Sequence, residues 1–263
     1  MANRDDRLGA ALHQERAAIA VAPATEGATG WGVGFYQNGE VLHRKRPQAP
    51  GGELDWGAVA GDLRSDCVIL HVRQPTVGDF TTHDTHPFRL RRWLFAHTGT
   101  IDRFAAIRDA MAGSLPDFLM RNVRGKTDSE LFFHVILSFL HDASQLDRTD
   151  VQPAAVVGAL RSAVALVDRL GAEVQAEKAV LNLMLTNGRH LFALRRGEPL
   201  AWVERSGLHD PPPDFSPGRG GPQSLRFVML ASGAVGDAPQ WSELPEGAIL
   251  EVDRNLATTV HAA

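Results

Sequence analysis

Short apolar runs bounded by turn-forming residues occur near both ends of the chain, and runs with helical spacing fill its middle. Apolar runs of strand length lie at 31–36, 68–72, 93–96, 180–185, 191–194 and 227–230. Between the third and the fourth run, the spacing of apolar residues predicts helices over 104–113, from 126–130 onward and over about 151–171. This order of strands, helices and strands predicts antiparallel sheets with helices outside them.

Glycine and proline positions refine this picture. Asn-Gly pairs at 38–39 and 187–188 each predict a hairpin turn between two apolar runs. Gly32 and Gly34 lie on one face of the first strand, so another backbone or a ligand is expected to approach that face. Residues 207–223 contain five prolines and four glycines, which predicts a long loop within a single domain over 1–263.

Composition excludes several classes of protein. The 263 residues are 44% hydrophobic, enough to bury a core, and a net charge of −4 argues against a nucleic-acid-binding face. No apolar run has the length of a membrane helix, and the first 21 residues lack the apolar segment of a signal peptide. The single cysteine, Cys67, excludes an intrachain disulfide and a multi-cysteine zinc site. A cytoplasmic protein without a cofactor is therefore expected.

Residues that carry chemistry are concentrated between positions 67 and 104. One strand delivers Arg73 to a loop rich in Thr, His and Asp, and a second strand ends in His97-Thr98-Gly99. Two strand ends can thus bring an arginine, hydroxyl groups and a glycine turn together, as expected of a small-molecule site. The residues alone leave two simpler alternatives open: Arg73 pairs with a surface carboxylate, and Asp128 only caps a helix.

Four motifs in this order resemble the class II glutamine amidotransferase domain, which has the N-terminal-nucleophile hydrolase fold. They read HVRQPTVGDF, HDTHPF, FAHTGTI and KTDSELFF, with WGVGFY upstream and VLNLMLTNGRHLFALR, FVMLASG and LPEGAILEV downstream. The resemblance spans roughly 28–252 and is strongest to the stand-alone bacterial members. It implies an α+β fold, a four-layer αββα sandwich of antiparallel sheets, and glutamine or a γ-glutamyl compound as the ligand.

The resemblance also implies roles for individual residues. It places the amino-acid-binding side chains at Arg73, Thr76, His86 and Asp128. Arg73 matches the arginine that grips the α-carboxylate of glutamine, and Asp128 matches the aspartate that holds the α-ammonium group. Gly99 matches the glycine whose backbone N–H helps to form the oxyanion hole, and Thr98 stands where the family has the asparagine of that hole.

Two departures from the family pattern concern catalysis. The family's nucleophile is a cysteine at the mature N-terminus, but position 2 here is Ala2, so removal of Met1 would expose an alanine. Thr98 replaces an asparagine amide, and losing one oxyanion donor typically costs about 10²–10³ in rate. Cys67 is not expected to substitute, because six strand residues place it roughly 20 Å from Arg73; a buried structural thiol is predicted instead.

Two classes of function stay open at this point. One is a non-catalytic descendant that binds or regulates, which the combination of Arg73, Thr76 and Asp128 with Ala2 favours. The other is an active glutamine amidotransferase or γ-glutamyl amidohydrolase with another start site or nucleophile, and any amide transfer would then need a separate synthase partner. The histidines at 71, 83, 86 and 97 suggest a metal, but the resemblance accounts for three of them without one, so no metal site is expected.

Overall fold

A computed structural model describes residues 1–19, 29–49, 61–73, 81–212, 221–233 and 240–263, together with Val59 and Asp79. The helices of these residues are α1 (Leu8–Gln14), α2 (Phe104–Gly113), α3 (Asp117–Met120), α4 (Asp128–Asp142) and α5 (Pro153–Glu173), with a short 3₁₀ helix at Pro222–Ser224. The strands are β1 (Thr29–Gln37), β2 (Glu40–Ala49), β3 (Val68–Arg73), β4 (Phe88–Leu90), β5 (Trp93–Thr100), β6 (Val180–Thr186), β7 (Leu191–Leu194), β8 (Leu200–Ser206), β9 (Arg226–Ser232), β10 (Ser242–Glu243), β11 (Ile249–Val252) and β12 (Thr258–His261).

The strands form two facing layers. One layer is a six-stranded sheet in the order β12-β11-β7-β6-β5-β4, and the other contains two three-stranded sheets, β2-β1-β3 and β10-β8-β9. Residues 1–3 join these two smaller sheets, because Ala2 N–H donates to the Asp66 carbonyl at 2.8 Å and forms a bridge with Phe227. All the neighbouring strands pair in antiparallel fashion, as the residue pattern predicted.

Helices cover both outer faces, and the alternation of residues along the strands explains why. On β5 and β6, Phe95, Leu183 and Leu185 pack in one core cluster with α2, α4 and α5, while Leu94 packs toward β3 on the opposite face. On the other side of the sandwich, α1 packs against β1 in a separate cluster. The result is the four-layer αββα sandwich that the resemblance implied, which the structure confirms.

The predicted elements are confirmed with small changes of boundary, and one is wrong. Both Asn-Gly turns are present; Asn38 and Gly39 have φ values of 52° and 82°, as a two-residue hairpin turn requires. His97-Thr98-Gly99 was expected to be a turn, but β5 continues through it and Gly99 pairs with Leu181. The loop predicted over 207–223 lies partly outside the described residues and remains a prediction.

The two glycines of β1 confirm a close approach by another backbone. A β-carbon at Gly32 would overlap the carbonyl group of His86, and one at Gly34 would lie 2.7 Å from Pro87 Cγ. The segment that carries His86 therefore packs directly on β1, which places it beside the end of β3. Within the described part of the chain, no helix is both long and apolar enough to span a bilayer.

Candidate functional site

Arg73 lies where β3 and β5 face each other across the sandwich. Its side chain is 4% exposed, and Nη1 donates to the carbonyl oxygen of Asp79 at 2.5 Å. Two residues earlier on β3, His71 Nε2 lies 3.1 Å from the carbonyl oxygen of His97 on β5. The two strand ends predicted to meet are therefore adjacent in the fold.

Asp128 connects the start of α4 to the segment that follows β5. Its carboxylate accepts hydrogen bonds from Ile101 N–H at 2.9 Å and from Ser129 N–H at 2.7 Å. An ionised carboxylate offers about four acceptor positions, so these two bonds leave room for a further donor. The N-cap of α4 is Thr127, whose side chain accepts from Glu130 N–H, so Asp128 is not required for capping.

Acidic groups surround the Arg73 guanidinium. Burial lowers the pKa of Arg73, and the nearby carboxylates of Asp84, Asp79 and Asp128 act in the opposite direction. A guanidinium remains protonated in such a site. Arg73 and Asp128 thus present opposite charges within electrostatic reach of one another, which suits the carboxylate and the ammonium of an α-amino acid.

Asp84 holds the HDTHPF segment against the start of α4. One carboxylate oxygen accepts from Lys126 N–H at 2.7 Å, and the other accepts from the Thr81 hydroxyl at 2.9 Å and from Asp79 N–H at 3.2 Å. A carboxylate accepts on both of its oxygens, whereas an asparagine at this position would accept on only one. An aspartate therefore matches the donors that surround this position.

Lys45 on β2 lies beside the candidate site, although no motif indicated it. Burial lowers its pKa to about 8, and the carboxylates of Glu130 and Asp84 oppose that shift. Its ammonium group donates to the Thr82 carbonyl at 3.3 Å and lies 5.4 Å from the centre of the Phe88 ring. The only sequence signal was that Lys45 is one of three lysines in an arginine-rich chain.

Three histidines belong to β3, the HDTHPF segment and β5. His71 and His86 face each other, whereas the ring of His97 lies on the helix side of β5, against α4. The rings of His71 and His86 are 4.1 Å apart, and burial lowers the pKa of each, that of His71 to about 4. His97 Nε2 donates to the Val180 carbonyl at 3.0 Å, so its Nδ1 accepts from the Ser129 hydroxyl at 2.8 Å. Burial also lowers the pKa of His97, so all three rings are mainly neutral at pH 7.

His86 has unused hydrogen-bonding capacity. It is 4% exposed, and neither of its ring nitrogens has a partner among the described residues. Buried polar atoms are nearly always paired, so a ligand or water at this position would satisfy them. In the same part of the chain, no three His, Cys, Asp or Glu side chains are grouped closely enough to hold a metal ion.

The predicted oxyanion positions, Thr98 and Gly99, lie on β5. Gly99 has a φ of 143°, and a β-carbon there would overlap the Val180 carbonyl, so only glycine fits. Thr98 is exposed and by strand alternation shares the face of β5 that points toward β3. Thr98 lies opposite Asn182 of β6, whose side-chain NH₂ group donates to the Glu198 carbonyl at 2.9 Å. Thr76, the remaining predicted site residue, lies outside the described residues.

The N-terminal residues are bonded far from this site. Ala2 is tied to Asp66, at the opposite end of β3 from Arg73; seven strand residues correspond to roughly 23 Å. The α-amino group of Met1 donates to the Val228 carbonyl at 2.8 Å, and burial lowers its pKa.

Cys67 is the buried thiol that was predicted. Its side chain is 0% exposed, and Sγ lies 3.4 Å from the Thr186 hydroxyl. Burial raises the pKa of the thiol, which disfavours the reactive thiolate.

Comparison with known proteins places this arrangement in a family. The model of the class II glutamine amidotransferases matches residues 13–259. The chain is 30% identical to a γ-glutamyl-hercynylcysteine sulfoxide hydrolase of Mycolicibacterium smegmatis over 235 residues, which cover 88% of this chain and 81% of the relative. It is also 29% identical over 184 residues to the putative glutamine amidotransferase YafJ of Escherichia coli, covering 67% and 63% of the two chains.

Solved structures show the same fold. A class II glutamine aminotransferase domain protein from Silicibacter pomeroyi superposes with a TM-score of 0.60 at 22% identity, covering 88% of this chain and 90% of the other. The glutamine phosphoribosylpyrophosphate amidotransferase of Bacillus subtilis superposes with a TM-score of 0.52 at 12% identity, covering 96% and 45%. The family match over almost the whole length, together with the sandwich fold, shows that this chain belongs to the class II glutamine amidotransferases.

Proposed function

We propose that this chain binds glutamine or a γ-glutamyl compound by its α-amino-acid end, between Arg73 and Asp128. The observation that carries the proposal is the buried guanidinium at the end of β3, beside a carboxylate with a free acceptor position. A planar guanidinium pairs with the ligand's carboxylate through two parallel hydrogen bonds, and Asp128 pairs with its ammonium group. The unpartnered ring nitrogens of His86 then face the remaining polar atoms of the ligand.

The proposed activity is binding or regulation, without cleavage of the amide by the N-terminal residues. Residue 2 is alanine, and residues 1–3 are bonded to Asp66 and β9, at the far end of β3 from Arg73. Thr98 in place of an asparagine would weaken stabilisation of an oxyanion, since its shorter side chain donates from a different position. These features support retention of the pocket with loss of turnover.

A calorimetric titration with L-glutamine and with a γ-glutamyl dipeptide tests this proposal. The unmodified protein should bind at least one of them, and Arg73→Lys should weaken binding about 10-fold or more, because lysine cannot form the paired contact to a carboxylate. Arg91→Lys is a matched control, since Arg91 is an exposed residue whose partner, Asp147, lies at the surface. Unchanged affinity in a folded Arg73→Lys protein would remove Arg73 from the binding site.

An active γ-glutamyl amide hydrolase is the second candidate, favoured by 30% identity to a hydrolase over 81% of that protein's length. Hydrolysis would consume one water molecule and release glutamate and the free amine, which is ammonia when the substrate is glutamine. Assaying the calorimetry samples for released glutamate and ammonia distinguishes the two candidates. Binding without release supports the non-catalytic protein, and release that Arg73→Lys abolishes supports the hydrolase.

A further inference from the structure

A second cavity lies on the helix side of the six-stranded sheet, away from Arg73. Its volume is about 260 Å³, and it opens between the C-terminal part of α5 and the segments that follow β5 and precede β6. Ile101, Val167 and Ala179 form a buried apolar wall. This volume is just below the roughly 300–1,000 Å³ of sites for drug-sized ligands, so it suits a metabolite of amino-acid size.

Arg196 supplies a buried positive charge at this cavity. It is 4% exposed; Nη2 donates to the Asp168 carboxylate at 2.5 Å, while Nη1 is buried and has no partner within the described residues. Buried guanidinium nitrogens are normally satisfied by an acceptor. Lys178 lies on the exposed rim and adds a second cation. A ligand carboxylate would meet both groups.

The same cavity also presents carboxylates. One oxygen of Asp102 accepts from Glu177 N–H at 2.8 Å, which leaves the other oxygen available, and the Glu177 side chain is exposed on the rim. Cationic and anionic groups thus stand over one small apolar wall. This combination fits a ligand that carries a carboxylate, an ammonium group and a short aliphatic side chain.

The cavity is linked by backbone to the Arg73–Asp128 site. Ile101, part of its wall, donates its N–H to the Asp128 carboxylate at 2.9 Å. Ala179, also in the wall, precedes Val180, whose carbonyl accepts from His97 and lies against Gly99. A ligand that shifts either wall residue would therefore shift a partner of Asp128 or of the oxyanion position.

We propose that this cavity binds a small aliphatic α-amino acid and that its occupancy changes ligand affinity at the Arg73–Asp128 site. Binding in the cavity is independent of the proposed function, and only the coupling rests on it. Coupling of this kind is reciprocal, so glutamine or the γ-glutamyl ligand would change affinity in the cavity by the same factor.

Calorimetric titration with L-valine tests the binding. Ala176→Leu fills the cavity at its lining and should weaken binding at least 10-fold, whereas Ala165→Leu, the same change on the exposed face of α5, should have no effect. Lys178→Gln on the exposed rim should weaken binding several-fold without risk to folding. Isovalerate and isobutylamine, which are valine without its ammonium group and without its carboxylate, should bind at least 10-fold more weakly.

Three results would overturn the proposal. The first is the absence of valine binding at millimolar concentration. The second is valine binding that survives both Ala176→Leu and Lys178→Gln but is lost in Arg73→Lys, which would assign valine to the first site. The third is an affinity for glutamine that saturating valine leaves unchanged in a protein that binds both ligands. A protein that binds valine but not glutamine would instead count against the proposed function.

Discussion

Replacement of Asp128 by asparagine tests whether this carboxylate stabilises the fold or serves only to bind a ligand. Asparagine has the same size and keeps one oxygen acceptor, but its NH₂ group replaces the other oxygen. The N–H groups of Ile101 and Ser129 now donate to the two Asp128 oxygens at 2.9 and 2.7 Å, so the NH₂ group would face one of these donors. Asp128→Asn therefore leaves a buried backbone donor without an acceptor.

The expected cost follows from these contacts. An unsatisfied buried donor costs about 1–3 kcal/mol, and removing a negative charge from the first turn of α4 costs about 0.3–1 kcal/mol more. A total of about 1–4 kcal/mol corresponds, for a chain of this length, to a fall of about 2–7 °C in Tm. This loss should be present without any ligand, because both backbone donors are internal to the protein.

Thermal unfolding followed by circular dichroism, without an amino acid in the buffer, measures the effect. Asp142→Asn is the matched control, since it makes the same change at the exposed last residue of α4. A negative charge at a helix C-terminus is unfavourable, so this variant should be neutral or slightly stabilised. An Asp128→Asn protein that melts within about 1 °C of the parent would refute the structural role and leave only ligand binding.

Two further predictions concern the packing around the site. Gly32→Ala places a methyl group 3.0 Å from the His86 carbonyl carbon and in overlap with the carbonyl oxygen. This overpacking should lower the free energy of unfolding by about 1–3 kcal/mol or more. Gly158→Ala, in open space on α5, should instead raise the free energy of unfolding by about 0.5–1 kcal/mol. Similar urea midpoints for these two variants would contradict the close approach. Burial lowers the pKa of His71 from its ordinary 6.5 to about 4. The folded protein therefore binds this proton less readily than the unfolded chain, so stability is full above pH 6.5 and falls as the pH drops toward 4. The total loss is about 3 kcal/mol. His71→Gln should flatten this part of a plot of urea midpoint against pH, and equal slopes for both proteins would exclude His71 as a cause.

Local structure could be predicted from the residues themselves. The bounds of α2 and β7 agree with the prediction, and both Asn-Gly turns are present, because helical spacing and left-handed turn residues act over a few positions. The prediction of a turn at Gly99 was wrong for a related reason. Glycine is typical of turns, but here the missing β-carbon allows the Val180 carbonyl to approach within the sheet, and strand pairing decided the conformation.

The sequence by itself determined several of the strands and helices and, through four ordered motifs, the family and the candidate site residues Arg73, Asp128 and Gly99. Only the tertiary structure decided which groups surround them. Lys45, on β2, comes within electrostatic reach of Glu130 and Asp84 through the packing of distant segments, which periodicity does not encode. The position of Ala2, at the end of β3 away from Arg73, likewise depends on strand pairing over more than sixty residues. Such contacts form only when the whole sandwich closes, because each depends on the register of several strands at once.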